Sequence, residues 1–213
     1  MKFYVLHNKE KMPFVVKEGT KKKYSKRIAL KKLQVIYLAV MNIPNEIGGS
    51  IDFDRKGKFL RLQIFPNGAR DELQLHDNHV VEWHTHPDKD HICFPSPTDL
   101  VAQAKRSINS NSKRITRYKK FRGPLAVVFS RWGAITYSYK KCKIPTRKEQ
   151  KEILDFMMKI ANRTKKDNYQ TMRLMAQYVR TFGFRICLQS WQEIRKGGLR
   201  LEWEGRRFHA TAK

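Results

Sequence analysis

The stretch from Glu82 to Leu100, EWHTHPDKDHICFPSPTDL, gathers the residue types that hold metal ions. Five of the chain's seven histidines, His76, His79, His84, His86 and His91, fall between residues 76 and 91. HVVEWHTH (79–86) reads as a strand, and on a strand residues two apart point to one face. His84 and His86 therefore project together, with Trp83 and Thr85 on the other side, and two imidazoles so placed can grip one cation. Pro87 turns the chain away. Ser96, Pro97 and Asp99 then suit the cap, first position and first turn of a helix. If that helix packs beside the strand, Asp99 supplies a third ligand. Three protein ligands leave one position for water, the arrangement of a catalytic and not a structural zinc. Each fragment alone is ordinary. Ser-Pro-Thr-Asp is a good helix start anywhere, and paired strand histidines are commonly exposed or hydrogen-bonded. The conjunction points to a metal.

His-Thr-His-Pro at 84–87, followed by Ser-Pro-Thr-Asp at 96–99, resembles the JAMM motif of the MPN-plus metalloproteases. That family also places a glutamate on an earlier strand, near a glycine, and NEIGGSIDFD offers Glu46 there. The resemblance covers roughly residues 1–143 in element order. It implies that His84, His86 and Asp99 bind Zn2+, that Glu46 is general base and acid, and that Ser96 helps stabilise the oxyanion. It implies hydrolysis of an amide or isopeptide bond by activated water, with no covalent intermediate. The substrate class it implies is a conjugate of ubiquitin or a ubiquitin-like protein, although some members cleave small-molecule or carrier-protein conjugates. One departure matters. Twelve residues separate His86 from Asp99, two more than the family's usual spacing. This leaves His91 and Cys93 as alternative third ligands, and Glu82, on the histidines' strand face, is the runner-up carboxylate. The motif's wording also resembles JAMM proteins of large DNA viruses, which implies a virion or infected-cell location.

The elements that must position these residues follow from periodicity and turn signals. KYSKRIALKKLQVIYLAVMN (23–42) reads as a helix, with strands at 46–54 and 58–65 around the turn RKG. An acidic loop (66–78) leads into the metal strand. A helix is expected over 97–109, then two strands around RWG (131–133). After Lys143 the pattern turns helical: a capping box at Thr146 and Glu149 opens one helix, a second covers about 168–181 and a third 188–197. The expected class is α+β, with the resemblance implying an MPN/JAMM-like (cytidine-deaminase-like) mixed sheet flanked by helices. The expected units are a metalloprotease domain over 1–143 and a basic C-terminal helical extension over 144–213.

Charge is unevenly spread. The net +26 resolves into +8 for 1–50, −3 for 51–100, +13 for 101–150 and +8 for 151–213. The only acidic window holds the histidines. Such an excess points to an anionic partner, nucleic acid or another polyanion, with SKRITRYKKFR (112–122) the main patch, or to a place in a larger assembly. Asp71, Glu72 and Asp77 read either as an ordinary polar loop or, as the resemblance implies, as an acidic lip suited to the basic face of ubiquitin. Three scattered cysteines fit reduced thiols and an intracellular location. The longest apolar run, VIYLAVM, is far short of a membrane span, and no signal peptide is expected. The competing class is a scaffold protein on the same fold, held to nucleic acid or a viral assembly by its basic shell.

Overall fold

The computed structural model describes residues 14–53, 59–65, 79–86, 93–113, 125–141, 143–163 and 169–212. The acidic lip of Asp71, Glu72 and Asp77, His76 and His91, and the basic residues 114–120 lie outside the described residues. In chain order the elements are β1 (Phe14–Ile28), a short 3-10 turn (Leu30–Lys32), α1 (Gln34–Asn42), β2 (Gly48–Phe53), β3 (Phe59–Phe65) and β4 (His79–His86). There follow α2 (Pro97–Lys113), β5 (Leu125–Ser130), β6 (Gly133–Tyr139), α3 (Arg147–Arg163), α4 (Tyr169–Thr181), β7 (Phe184–Ser190), α5 (Trp191–Gly197) and β8 (Leu199–Ala212). The class is α+β, a mixed sheet flanked by helices.

Six strands form one sheet in the order β3-β2-β4-β5-β6-β7. Every neighbouring pair is antiparallel except β4 and β5. Parallel neighbours need a crossover, and α2 lies in it. The sheet is covered on both sides, so β5 is buried along its whole length. On one face Val81, Trp83, Val127 and Phe129 pack with Ile36 and Val40 of α1 and with Trp191 and Ile194 of α5. On the other, Ala126, Val128, Ile135 and Tyr137 pack under α2, α3 and α4 through Leu100, Ile153, Met157, Met172, Met175 and Val179.

Two expectations need correction. Only the second half of 23–42 is helical. Its first half ends β1, which pairs antiparallel with β8 from Ile28 opposite Leu199 to Phe14 opposite Ala212. A partner at the far end of the chain leaves no trace in local periodicity, and strand preference depends on such tertiary context. The segment after residue 143 is likewise not wholly helical. It carries α3, α4 and α5 but also β7, hydrogen-bonded to β6 in the main sheet, and β8. The capping box at Thr146 forms as expected, with Thr146 Oγ1 accepting from the Glu149 N–H at 3.2 Å and Thr146 N donating to Glu149 Oε2 at 2.7 Å. Ser190 and Glu193 form a second box that opens α5. No helix among the described residues is long and apolar enough to cross a membrane.

Candidate metal centre

The site lies where the end of β4 meets the start of α2. Alternation along β4 puts Val81 and Trp83 in the α1-side core, which turns Glu82, His84 and His86 toward α2. On α2, residues three, four and seven apart share a stripe. Leu100, Gln103, Ala104 and Ser107 obey that spacing and are all buried. Full burial of Leu100 alone contributes about 2 kcal/mol toward holding α2 on the sheet. The neighbouring stripe, Asp99, Gln103 and Arg106, meets the β4 row in antiparallel sense. Asp99 stands beside the histidines, and Arg106, two turns on, forms an ion pair with buried Glu82. The packing of helix on strand thus brings Asp99 beside His84 and His86.

The distances fit one small cation. His84 Nε2 lies 3.2 Å from His86 Nε2 and 3.3 Å from Asp99 Oδ2, and His86 Nε2 lies 3.7 Å from that oxygen. Ligands at about 2.0–2.2 Å on a tetrahedral zinc stand roughly 3.3–3.6 Å from one another. Three lone-pair atoms aimed into so small a space repel one another unless a proton or cation sits among them. Among the described residues, this is the group of histidine, cysteine and acidic side chains able to hold a metal ion.

Ser96 holds the Asp99 carboxylate in place. Ser96 N donates to Asp99 Oδ2 at 2.9 Å, Ser96 Oγ donates to the same oxygen at 2.7 Å, and Asp99 N donates back to Ser96 Oγ at 3.1 Å. This is a helix cap whose carboxylate faces the histidines. Burial by itself would raise the Asp99 pKa. The hydrogen bond and charge of His84, with the two bonds from Ser96, outweigh it and hold the carboxyl well below the usual range. Asp99 is therefore an anion at neutral pH, the state that metal binding requires of a carboxyl. The Ser96 hydroxyl, expected to face an oxyanion, is hydrogen-bonded to the Asp99 carboxylate.

Glu46 lies in the segment before β2, with Oε1 3.5 Å from His86 Nε2 and nearly half of its side chain exposed. It shares the site but stands at its mouth. Its neighbour Ile47 is tied to β4 three ways. Thr85 N donates to Ile47 O at 2.8 Å, Ile47 N donates to Thr85 Oγ1 at 2.9 Å, and Thr85 Oγ1 reaches Ile47 O at 3.4 Å. Gly48 is the register partner of His84, and a Cβ there would come within 3.1 Å of Trp83 O. Glycine thus lets β2 lie close to β4, which sets where Glu46 falls.

The structure brings together all five expected residues, His84, His86, Asp99, Glu46 and Ser96. Glu82 shares their strand face but is paired with Arg106. Cys93 is buried in the apolar cluster with Phe94 and Leu100, outside the ligand group. Sequence reasoning missed Thr85 as the tie for the Glu46 segment. Its position between the two histidines was visible, but its hydroxyl partner was not. The chain matches no family model, no curated protein and no solved structure.

Proposed function

We propose that this protein is a zinc-dependent hydrolase of amide or isopeptide bonds, acting on conjugates of ubiquitin or a ubiquitin-like protein. The observation that carries the reading is the convergence of His84, His86 and Asp99 on one point, with an accessible Glu46 beside it. The motif's likeness to the JAMM metalloproteases supports the substrate class. His84 Nε2, His86 Nε2 and Asp99 would hold the ion. A zinc there supplies Lewis acidity toward a scissile carbonyl and makes water acidic enough to attack near neutral pH. Glu46 accepts the proton of the attacking water and delivers it to the departing lysine amine as the C–N bond breaks, leaving a carboxylate and a free amine. Its exposure suits this, since the base must reach both solvent and substrate. Ser96 holds Asp99 ionised and oriented. Thr85 holds the Glu46 segment against the metal strand.

The test is cleavage of a fluorogenic ubiquitin–lysine isopeptide by the purified chain, with and without chelator. The reading expects turnover that chelator removes and zinc restores, no zinc in His84→Ala, and zinc without turnover in Glu46→Gln. Chelator-insensitive cleavage contradicts it, as does a zinc-loaded protein that cleaves neither isopeptide nor peptide bonds.

A further inference from the structure

β7 is an edge of the main sheet, three strands across from β4. That is about 14 Å at the usual strand spacing. Between β7 and α4 runs an open cleft of about 720 Å³. Four cations line it from three parts of the fold: Lys140 after β6, Arg173 and Arg180 on α4, and Arg185 on β7. Among the described residues, no acidic side chain lines it. Lys140, Arg173 and Arg180 are exposed. A groove lined by cations from three parts of the fold raises the local concentration of a polyanion.

Two further features narrow the ligand. Tyr169, at the first turn of α4, lines the same cleft with half of its surface exposed, and it stacks on Trp132 at 5.7 Å and 25°. A basic groove with an aromatic stack at one end is how proteins hold single strands, phosphates on cations and bases on rings. A base paired inside a duplex does not offer its face to a tyrosine. The second feature argues against an added peptide strand. Arg180 donates through Nη2 to the carbonyl of Ile186 at 2.7 Å, so this carbonyl of the edge strand is already occupied. The same bond fixes the guanidinium at the cleft, and an arginine keeps further N–H donors for a phosphate.

We propose that the cleft between α4 and β7 binds single-stranded nucleic acid, with Lys140, Arg173, Arg180 and Arg185 on phosphates and Tyr169 stacked on a base. This goes beyond the hydrolase reading and does not depend on it. None of its residues belongs to the 112–122 patch that the sequence singles out.

The experiment is fluorescence anisotropy on the full chain, with labelled oligouridine and oligothymidine and a duplex of equal length. Tyr169→Ala should weaken single-strand binding roughly fivefold or more, the low end for losing a base stack, and Tyr169→Phe should restore it. Arg173→Gln with Lys140→Gln should lower the slope of log affinity against log salt by about 1.4, two contacts at ~0.7 each. Zinc content should stay at the wild-type value in all of these variants. The ratio of uridine to thymidine affinity tells RNA from DNA as the source of the strand. The proposal is overturned if single-strand affinity and salt slope stay at wild-type values in these variants. It is also overturned if Tyr169→Ala changes nothing while the paired Arg173 and Lys140 change weakens duplex and single strand alike, which makes the cleft an unselective polyanion surface.

Discussion

Ser96→Ala separates two roles for one hydroxyl. In the structure Ser96 Oγ accepts the Asp99 N–H at 3.1 Å and donates to Asp99 Oδ2 at 2.7 Å, the oxygen that lies 3.3 Å from His84 Nε2. Removing a serine cap costs about 1 kcal/mol. The lost bond to a carboxylate adds to this, while the backbone bond from Ser96 N survives the change. A total of about 1–2 kcal/mol lowers the melting temperature of the metal-free protein by roughly 3–6 °C for a chain of this size. Metal affinity should fall as well. Partners that orient a ligand are typically worth 10- to 100-fold, so the zinc dissociation constant measured against a competing chelator should rise by roughly that factor. Ser96→Thr should restore both. The competing role, hydrogen bonding to an oxyanion, predicts otherwise: zinc affinity stays at the wild-type value and only the turnover of zinc-saturated protein falls. That second pattern would refute the assignment of Ser96 to Asp99.

Thr85→Val keeps the shape of the side chain but leaves the Ile47 N–H without its 2.9 Å acceptor. It should cost about 1–2 kcal/mol in thermal melts and lower turnover while zinc is retained, whereas Thr85→Ser should behave as wild type. Glu46→Gln should keep fold and zinc but lose turnover by at least ~100-fold in the fluorogenic assay. Glu82→Gln strands Arg106 in a pair whose acid is buried and whose arginine is 29% exposed. Chemical denaturation should show a loss of about 2 kcal/mol, less than for a fully buried pair, with zinc stoichiometry unchanged. A loss of turnover in Glu82→Gln larger than its loss of folded protein would mark Glu82 as the base in place of Glu46.

The centre was legible because its parts obey local rules. Strand alternation sends His84 and His86 to one face, and helix-capping chemistry puts Ser96 before Asp99. The sequence does not contain the register between β4 and α2 that sets Asp99 against the histidines and Arg106 against Glu82. That register comes from Leu100 and Ala104 packing on the sheet, a tertiary fact. The misread elements share one cause. Residues 23–28 have lysines and apolar residues at helix-like spacing but pair with β8, and β7 and β8 follow helices closely enough to read as their continuation. Each of these strands is fixed by a partner distant in sequence, and single-window periodicity cannot register such a partner. The cleft at α4 and β7 was hidden for the same reason: Lys140, Arg173 and Arg185 look like scattered surface charge until β6 and β7 pair.

The claim that His84, His86 and Asp99 form one zinc site is tested most directly by zinc-edge X-ray absorption on the purified chain, with elemental analysis of the same sample. The account predicts one zinc per chain with four light-atom ligands, two of them imidazole, at about 2.0–2.1 Å, and no sulfur shell near 2.3 Å. It predicts that Asp99→Ala and His84→Ala each remove stoichiometric zinc while the fold survives. A sulfur ligand in the spectrum would put Cys93 or another cysteine in the site. Undiminished zinc in the Asp99→Ala variant would show that the carboxylate at the start of α2 is not a ligand. Either result contradicts the account.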